Sequence, residues 1–138
     1  MTPAPVPTLP LVDGILAVLR AAVPEDVVVG CAGVPPGTEP PYVVLYPDTG
    51  NEARAEETLD GATPTDLYYQ LTCVGSGPEQ AIWLANLTTI ALLTTMPTVA
   101  GQRPRLALRE GSQPVQRDDD AGGVYIATAQ YLTRTQPL

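Results

Sequence analysis

The sequence predicts an α+β fold in which two helices pack on a mixed, mostly antiparallel sheet of four to five strands. Three observations predict this class. Two segments repeat apolar residues at helical spacing, several short segments are rich in β-branched residues, and Pro and Gly clusters separate them. The chain has 138 residues, of which 44% are hydrophobic, so a single domain is expected over 1–138.

The first helix is expected over 11–23, after a Pro-rich arm at residues 1–8. Apolar residues recur there at spacings of three and four, which places them on one face. Thr8 is the expected N-cap, and Pro10 lies in the first turn, where its missing N–H costs little. Pro24 is expected to end the helix.

Three strands are expected in the first half of the sheet. The segment 26–32 is β-branched and apolar and predicts a buried strand, and 42–46 predicts a second one. The segment 66–75 alternates between apolar and polar residues, so its odd-numbered residues are expected to face inward. Between the last two strands, 47–64 is acidic and is expected to form a long exposed loop.

The second helix is expected to begin at a capping box formed by Ser76 and Glu79. Apolar residues surround this helix on nearly all sides, which predicts burial on more than one side. The second apolar face is expected to meet either the first helix or another copy of the protein. One side carries Trp83, Leu84, Leu87, Ile90 and Ala91, and the other carries Ile82, Leu92, Leu93 and Met96.

The chain is expected to close with a hairpin. Its first strand, 103–109, places Leu106 and Leu108 on one face and three arginines on the other. A polar hairpin loop is expected over 110–123, and the closing strand over 124–133.

The composition excludes most catalytic chemistries. The chain has no His and no Lys, its seven basic residues are all Arg, and fifteen acids give a net charge of −8. Without His there is no imidazole base, and without Lys there is neither a Schiff base nor a Walker phosphate loop. The acidic balance argues against a DNA-wrapping surface. We therefore expect no enzyme activity, no cofactor and no metal.

Cysteine and hydropathy patterns indicate a reduced protein outside the membrane. Cys31 and Cys73 lie in apolar runs and are expected to be buried and reduced. The longest uncharged stretch, 80–96, is shorter than the roughly 20 residues that cross a bilayer. The first ten residues carry no basic residue, which argues against a secretory signal.

Two acidic motifs have a functional interpretation beside an ordinary one. Asp48, followed by Thr49 and Gly50, could be the catalytic carboxylate of a dimeric aspartic protease, but the tripeptide is also typical of a turn. The run 118–120 could bind a divalent cation, yet three consecutive carboxylates do not converge on one side of an extended chain. A solvated hairpin tip is the favoured interpretation of that run.

Charge is polarised along the chain. Residues 1–79 hold eleven acids and two Arg, a net −9, whereas 80–138 hold four acids and five Arg, a net +1. If the acidic loop and the arginine strand lie on different faces, copies could dock head to side, the geometry that generates rings. The candidate interface residues are Glu52, Arg54, Glu56, Glu57, Asp60, Arg103, Arg105, Arg109 and Arg117.

Four stretches carry a resemblance to a known family. They are 11–20, 40–47, 66–75 running into the helix from Pro78, and the closing hairpin. In order and length they resemble the tail terminator, or tail completion, proteins of long-tailed phages, especially those of actinobacterial hosts. The likeness spans nearly the whole chain, and none of the four stretches is a catalytic signature.

The resemblance implies a small α+β subunit of a virion, assembled in the host cytoplasm. Such a subunit forms a ring, expected to be a hexamer, that caps the tail tube, ends its polymerisation and joins it to the head-tail connector. The implied partners are further copies, the tail tube protein, the head-tail connector protein, and genomic DNA that passes through the lumen without sequence-specific binding. A head-tail connector or stopper subunit is the alternative within the same class.

Overall fold

Two helices cover one face of a mixed β-sheet, and the α+β class predicted from the sequence is confirmed. The computed structural model describes residues 7–52, 64–120 and 122–138. The elements follow in the order α1 (Leu9–Ala22), β1 (Val28–Cys31), β2 (Tyr42–Pro47), β3 (Asn51–Glu52), β4 (Thr65–Gly75), α2 (Pro78–Thr94), β5 (Gln102–Pro104), β6 (Leu108–Ser112), β7 (Gln116–Asp118) and β8 (Val124–Pro137).

The strand β8 organises half of the sheet. The main order is β1-β2-β4-β8-β5, with β3 paired to β4 and both β6 and β7 paired to β8. The pair β1 and β2 is parallel, and the other pairs are antiparallel. The described sheet has more strands than the predicted four to five, because β3 and β7 span only two or three residues and leave no alternating pattern, and the strand predicted at 103–109 is divided in two.

The core lies between the helices and one face of the sheet. The odd-numbered residues of β4 point to the helices, and Leu67, Tyr69, Leu71 and Cys73 are all buried, as predicted. The expected face of α1 is also buried, through Leu11, Val12, Ile15, Leu16 and Leu19. The rings of Tyr69 and Tyr131, opposite each other on β4 and β8, stack with centroids 5.7 Å apart.

The structure confirms the predicted N-cap position of α1 and corrects the predicted capping box of α2. Thr8 occupies the N-cap of α1, but its side chain makes no cap hydrogen bond and its hydroxyl donates to the carbonyl oxygen of Thr49 at 3.1 Å. At α2 the N-cap is Gly77, also without a side-chain bond. The amide oxygen of Gln80, and not Glu79, reaches back to accept from the backbone N–H and the hydroxyl of Ser76.

The strand β1 is an edge strand and not the buried strand that the sequence predicts. It is shorter than predicted, and only Val29 within it is buried. Cys31 is exposed, so the expectation of a buried thiol is wrong for this residue and right for Cys73. The Arg20 side chain donates to the carbonyl oxygen of Val29 at 3.2 Å and so covers part of this open edge.

Two predicted loops contain strands. The segment 47–64 begins with the last residue of β2 and includes β3, and residues 53–63 lie outside the described part of the chain. The segment 110–123 includes the end of β6 and all of β7, which pairs with β8 in the predicted closing hairpin. The closing strand also runs to Pro137, four residues past the predicted end.

The single strand predicted at 103–109 is divided into β5 and β6. Between them the backbone N–H of Ala107 donates to the carbonyl oxygen of Leu92 at the end of α2, which turns this residue away from the ladder. Ala107 is therefore buried, while Leu106 and Leu108 are exposed.

The helices described here do not reach the combination of length and apolar character that would let one cross a membrane.

Candidate functional site

An apolar stripe of α2 faces away from the core. The buried stripe of the helix consists of Ala81, Leu84, Thr88 and Leu92, spaced three or four residues apart. Trp83 and Ile90 lie on the opposite side of the helix and are 43% and 63% exposed. Leu87 lies between them and is half-buried. No charged residue occurs from Gln80 to Thr94, so this outer stripe is both exposed and uncharged.

The described chain covers α2 on one side, and cover of its second side by another copy stays a prediction. The helix contacts β4, β8 and α1, but those contacts use the buried stripe and its flanks. Trp83 and Ile90, which the sequence placed on one side with Leu84, remain uncovered by any described part of the chain. Periodicity does not separate the two sides, because both are apolar.

The sheet face that points away from the helices carries a second apolar surface. Tyr68, Leu132 and Leu108 lie opposite one another on β4, β8 and β6, and so form a row across three strands. Tyr68 is 43% and Leu108 62% exposed, and Leu106 and Tyr46 add further exposed apolar area on this face. Exposed apolar side chains that cluster on a folded chain indicate an interaction surface.

A groove of about 260 Å³ lies on that outer face, lined by Arg105, Leu106, Leu108, Leu132 and Arg134. At its edge the guanidinium of Arg134 binds the carboxylate of Asp66 through two hydrogen bonds, of 2.6 and 3.0 Å. Such a two-point pair fixes the Arg134 side chain beside the apolar floor. Arg105 is exposed, and within the described residues it makes no ion pair.

A smaller cleft of about 170 Å³ lies between α2 and the strands β6 and β8. Its floor includes the small side chains of Ala127 and Ala129, and Arg109 lies at its rim. Inside the cleft the hydroxyls of Thr89 and Tyr131 are hydrogen-bonded at 2.7 Å. Burial raises the pKa of Tyr131, so this hydroxyl stays protonated at neutral pH. The cleft therefore holds a neutral, paired polar group.

The predicted arginine face does not exist as one surface. Arg103 lines a shallow depression with Met96 and Pro97, whereas Arg105 lies on the outer sheet face. Arg109 lies at the cleft beside α2. The cause is the turn at Ala107, which breaks the alternation on which the prediction depended.

The remaining predicted interface residues lie in other parts of the chain. Arg117 is at the hairpin tip, where it forms an exposed ion pair with Asp119 at 2.7 Å. Glu52 ends the short strand β3, opposite Thr65. Arg54, Glu56, Glu57 and Asp60 lie outside the described residues. Among the described residues, the predicted arginines therefore lie on separate surfaces, and an interface that includes the acidic segment stays a prediction.

Both acidic motifs form turns. The carboxylate of Asp48 accepts a hydrogen bond of 2.7 Å from the backbone N–H of Gly50, whose φ of 91° favours glycine. Asp118 likewise accepts one from the backbone N–H of Asp120 at the exposed hairpin tip. Among the residues that the structure describes, no three Cys, Asp or Glu side chains converge to form a cation site.

The sequence feature that points to the outer stripe of α2 is the absence of charged residues from Gln80 to Thr94. A helix that exposes one side to water ordinarily carries charged residues on that side. Fifteen consecutive residues without a charge indicate that the second side is covered when the protein acts. The outer sheet face gave no comparable signal, since Tyr68 and Leu108 fit an ordinary strand pattern.

Comparison with known proteins finds a similar fold in a virus-like particle. The chain is similar to a chain of the "Virion of native gene transfer agent (GTA) particle", with a TM-score of 0.63. The two are 19% identical, and the match covers 87% of this chain and 85% of that one. No family model matches the sequence, and no curated protein matches it. At this identity the comparison shows a shared fold.

Proposed function

We propose that this protein is a structural subunit of a phage-like virion, and specifically a tail terminator. In this role it forms a ring on the tail tube, ends tube polymerisation and joins the tube to the head-tail connector. The observation that carries the proposal is the fold shared with a gene transfer agent virion chain over 87% of the length. The order of elements, which resembles the tail terminator family, supports the finer assignment.

The exposed apolar surfaces support a role in assembly. Trp83 and Ile90 on one side and Tyr68 and Leu108 on the other form two surfaces that the described residues of one chain leave exposed. Burying such surfaces against neighbours is favourable by roughly 25 cal/mol per Å² of apolar area. A subunit with contacts on two sides has the minimum needed for a closed ring.

The charge of the chain supports passage of DNA. A net charge of −8 repels phosphate groups, so DNA would pass through a lumen of such subunits without binding. In this proposal the further partners are the tail tube protein and the head-tail connector protein, the location is the virion, and the role requires no catalysis, metal or cofactor.

The test is electron microscopy of lysates from a phage or prophage in which this gene carries an early stop codon. We expect overlong, headless tubes, because tube growth would lack its terminator, and a plasmid copy of the gene should restore normal particles. Tails of normal length beside unattached heads would instead assign the chain to the connector or stopper class. Normal virions would contradict both structural roles.

Asp48→Asn is a matched control for the aspartic protease alternative. Asn retains an oxygen that can accept the hydrogen bond from the backbone N–H of Gly50, so the turn is preserved. We expect normal particles from a phage with this substitution. Particles that fail to mature, with the fold of the variant intact, would favour the protease.

A further inference from the structure

The two apolar surfaces lie on opposite sides of the molecule. The buried stripe of α2 packs on the inner face of the sheet, so Trp83 and Ile90 point away from it. Tyr68 and Leu108 lie on the outer face of the same sheet. Because the sheet separates the two surfaces, they cannot cover each other within one chain.

Their chemistry fits a second copy of this chain. An apolar sheet face is normally covered by helices, and the outer stripe of α2 is an apolar helix face that no described residue covers. Two copies that each carry −8 repel each other, which favours contact where negative charge is lowest. From Gln80 to Thr94 the outer stripe of α2 has no charge, and the groove on the outer sheet face is flanked by Arg105 and Arg134.

Charge complementarity also gives the contact a direction. The last turn of α2 contains no basic residue, so no side-chain cation within that turn offsets the partial negative charge of this helix end. Arg105 is an exposed cation without an ion pair in the described residues, and it lies beside the apolar groove. When the C-terminal end of a neighbouring α2 approaches Arg105, the partial negative charge of that helix end lies near the Arg105 cation. The apolar stripe of the same helix then lies over the apolar groove.

We propose that copies of this protein associate through two different surfaces, the outer stripe of α2 covering the outer sheet face of the next copy. Ile90 then contacts the groove formed by Leu106, Leu108 and Leu132, and the end of α2 lies near Arg105. Since each copy keeps one free surface of each kind, the contact repeats and closes into a ring when the rotation permits. This inference deepens the ring-forming role proposed above and rests on it.

Sedimentation velocity of the purified chain and two surface variants tests the interface. Ile90→Glu places a charge on the helix stripe, and Leu108→Glu places one on the sheet face. Both residues are more than half exposed, so the fold should tolerate the change. We expect each variant alone to lose self-association by at least about tenfold, since an unpaired charge is costly to bury.

An equimolar mixture of the two variants separates this interface from a symmetric one. The intact helix stripe of Leu108→Glu can cover the intact sheet face of Ile90→Glu, so the mixture should form one-to-one heterodimers that grow no further. Leu9→Glu is the matched control, because Leu9 is 69% exposed and lies on neither surface. It should associate like the unaltered protein.

Three outcomes would overturn the proposal: an unaltered protein that stays monomeric at millimolar concentration, either variant associating normally by itself, or a mixture that stays monomeric. Circular dichroism checks the fold of each variant, and Trp83→Glu with Leu106→Glu repeats the test if one of the first pair fails to fold. The assay uses only the purified chain. A failure here therefore removes the interface, whereas the stop-codon phenotype decides the role in the virion separately.

Discussion

Buried side-chain hydroxyl groups form hydrogen bonds between strands and between the sheet and α2. Tyr69 bonds Thr133 at 2.8 Å, Tyr131 bonds Thr89 at 2.7 Å, and the hydroxyl of Thr135 donates to the amide oxygen of Gln102 at 3.1 Å. All these groups are buried or half-buried, where an unpaired polar atom is costly. The sequence pattern does not identify these pairs, because Thr89 lies on α2 and the paired strand residues do not lie directly opposite each other in the register.

Thr65 provides a test of this pairing. Its side-chain oxygen is buried and has no hydrogen-bond partner among the described residues, although it lies opposite the bonded Thr135. Thr65→Val should raise the free energy of unfolding by about 1 kcal/mol, because it removes an unpaired hydroxyl without changing the shape. Thr135→Val, the matched control, should lower it by about 1–2 kcal/mol. Urea denaturation measures both, and equal signs for the two variants would contradict the assignment.

The two cysteines should differ in reactivity and in their effect on stability. Burial raises the pKa of the Cys73 thiol from 9.0 to about 11, opposed by a hydrogen bond to Thr88. Cys31 is exposed, so a thiol reagent near pH 8 should modify it rapidly and reach Cys73 only on unfolding. Because the unfolded thiol loses its proton first, the free energy of unfolding should fall as pH rises from about 9 to 11.

Titration with Ellman's reagent and urea denaturation at several pH values check both statements. Cys31→Ser should abolish the fast reaction, and Cys73→Ala should reduce the fall in stability at high pH. A fast reaction that survives in Cys31→Ser would show that Cys73 is accessible.

At the scale of elements, the sequence predicts which helices and strands form better than it predicts which side of each element faces the core. Both helices and the main strands were predicted because the spacing of apolar residues indicates which residues are buried. The outward side of α2 was not, since a helix apolar on all sides does not reveal which stripe the chain itself covers. The break at Ala107 depends on a backbone bond to Leu92, fifteen positions earlier, and local pattern does not contain it.

The junction between β4 and α2 gives a prediction at the same scale. A Cβ at residue 75 would lie 2.5 Å from the backbone nitrogen of Ala81, so the first turn of α2 packs directly on this glycine. Gly75→Ala should therefore lower the free energy of unfolding by about 1–3 kcal/mol. Gly33→Ala, where no atom lies within 4 Å, should change it by less than about 0.5 kcal/mol. Thermal melts of the two variants measure the difference, and similar losses would contradict the close packing.

At the scale of the whole molecule, the described residues do not form the opposed acidic and arginine faces that the sequence suggested. Arg103, Arg105 and Arg109 point into three different surroundings, and four of the five interface residues predicted in the acidic segment lie outside the described chain. Charge-driven docking of copies thus stays a prediction. The apolar surfaces of α2 and the outer sheet face provide the alternative proposed above.

Salt separates these two modes of association. If opposite charges drive contact, raising NaCl from about 50 mM to about 500 mM should weaken it. If the apolar surfaces drive contact, the same change should strengthen it severalfold, because salt screens the repulsion between copies that each carry −8. Sedimentation equilibrium at the two salt concentrations measures the direction, with Leu108→Glu as the control for a contact lacking its apolar sheet face.

The length and position of β8 have a consequence for synthesis of the protein. Eleven residues of β4 pair with β8, yet β4 ends at Gly75 and β8 only at Pro137. At translation rates of roughly 5–20 residues per second, a nascent chain carries β4 without the partner of its β8-facing edge for about 3–12 s. During that interval its backbone edge and the inward-facing Leu67 and Leu71 are open to other nascent chains. Slower initiation, which spaces ribosomes on the message, should therefore increase the soluble fraction more than a slower rate of elongation.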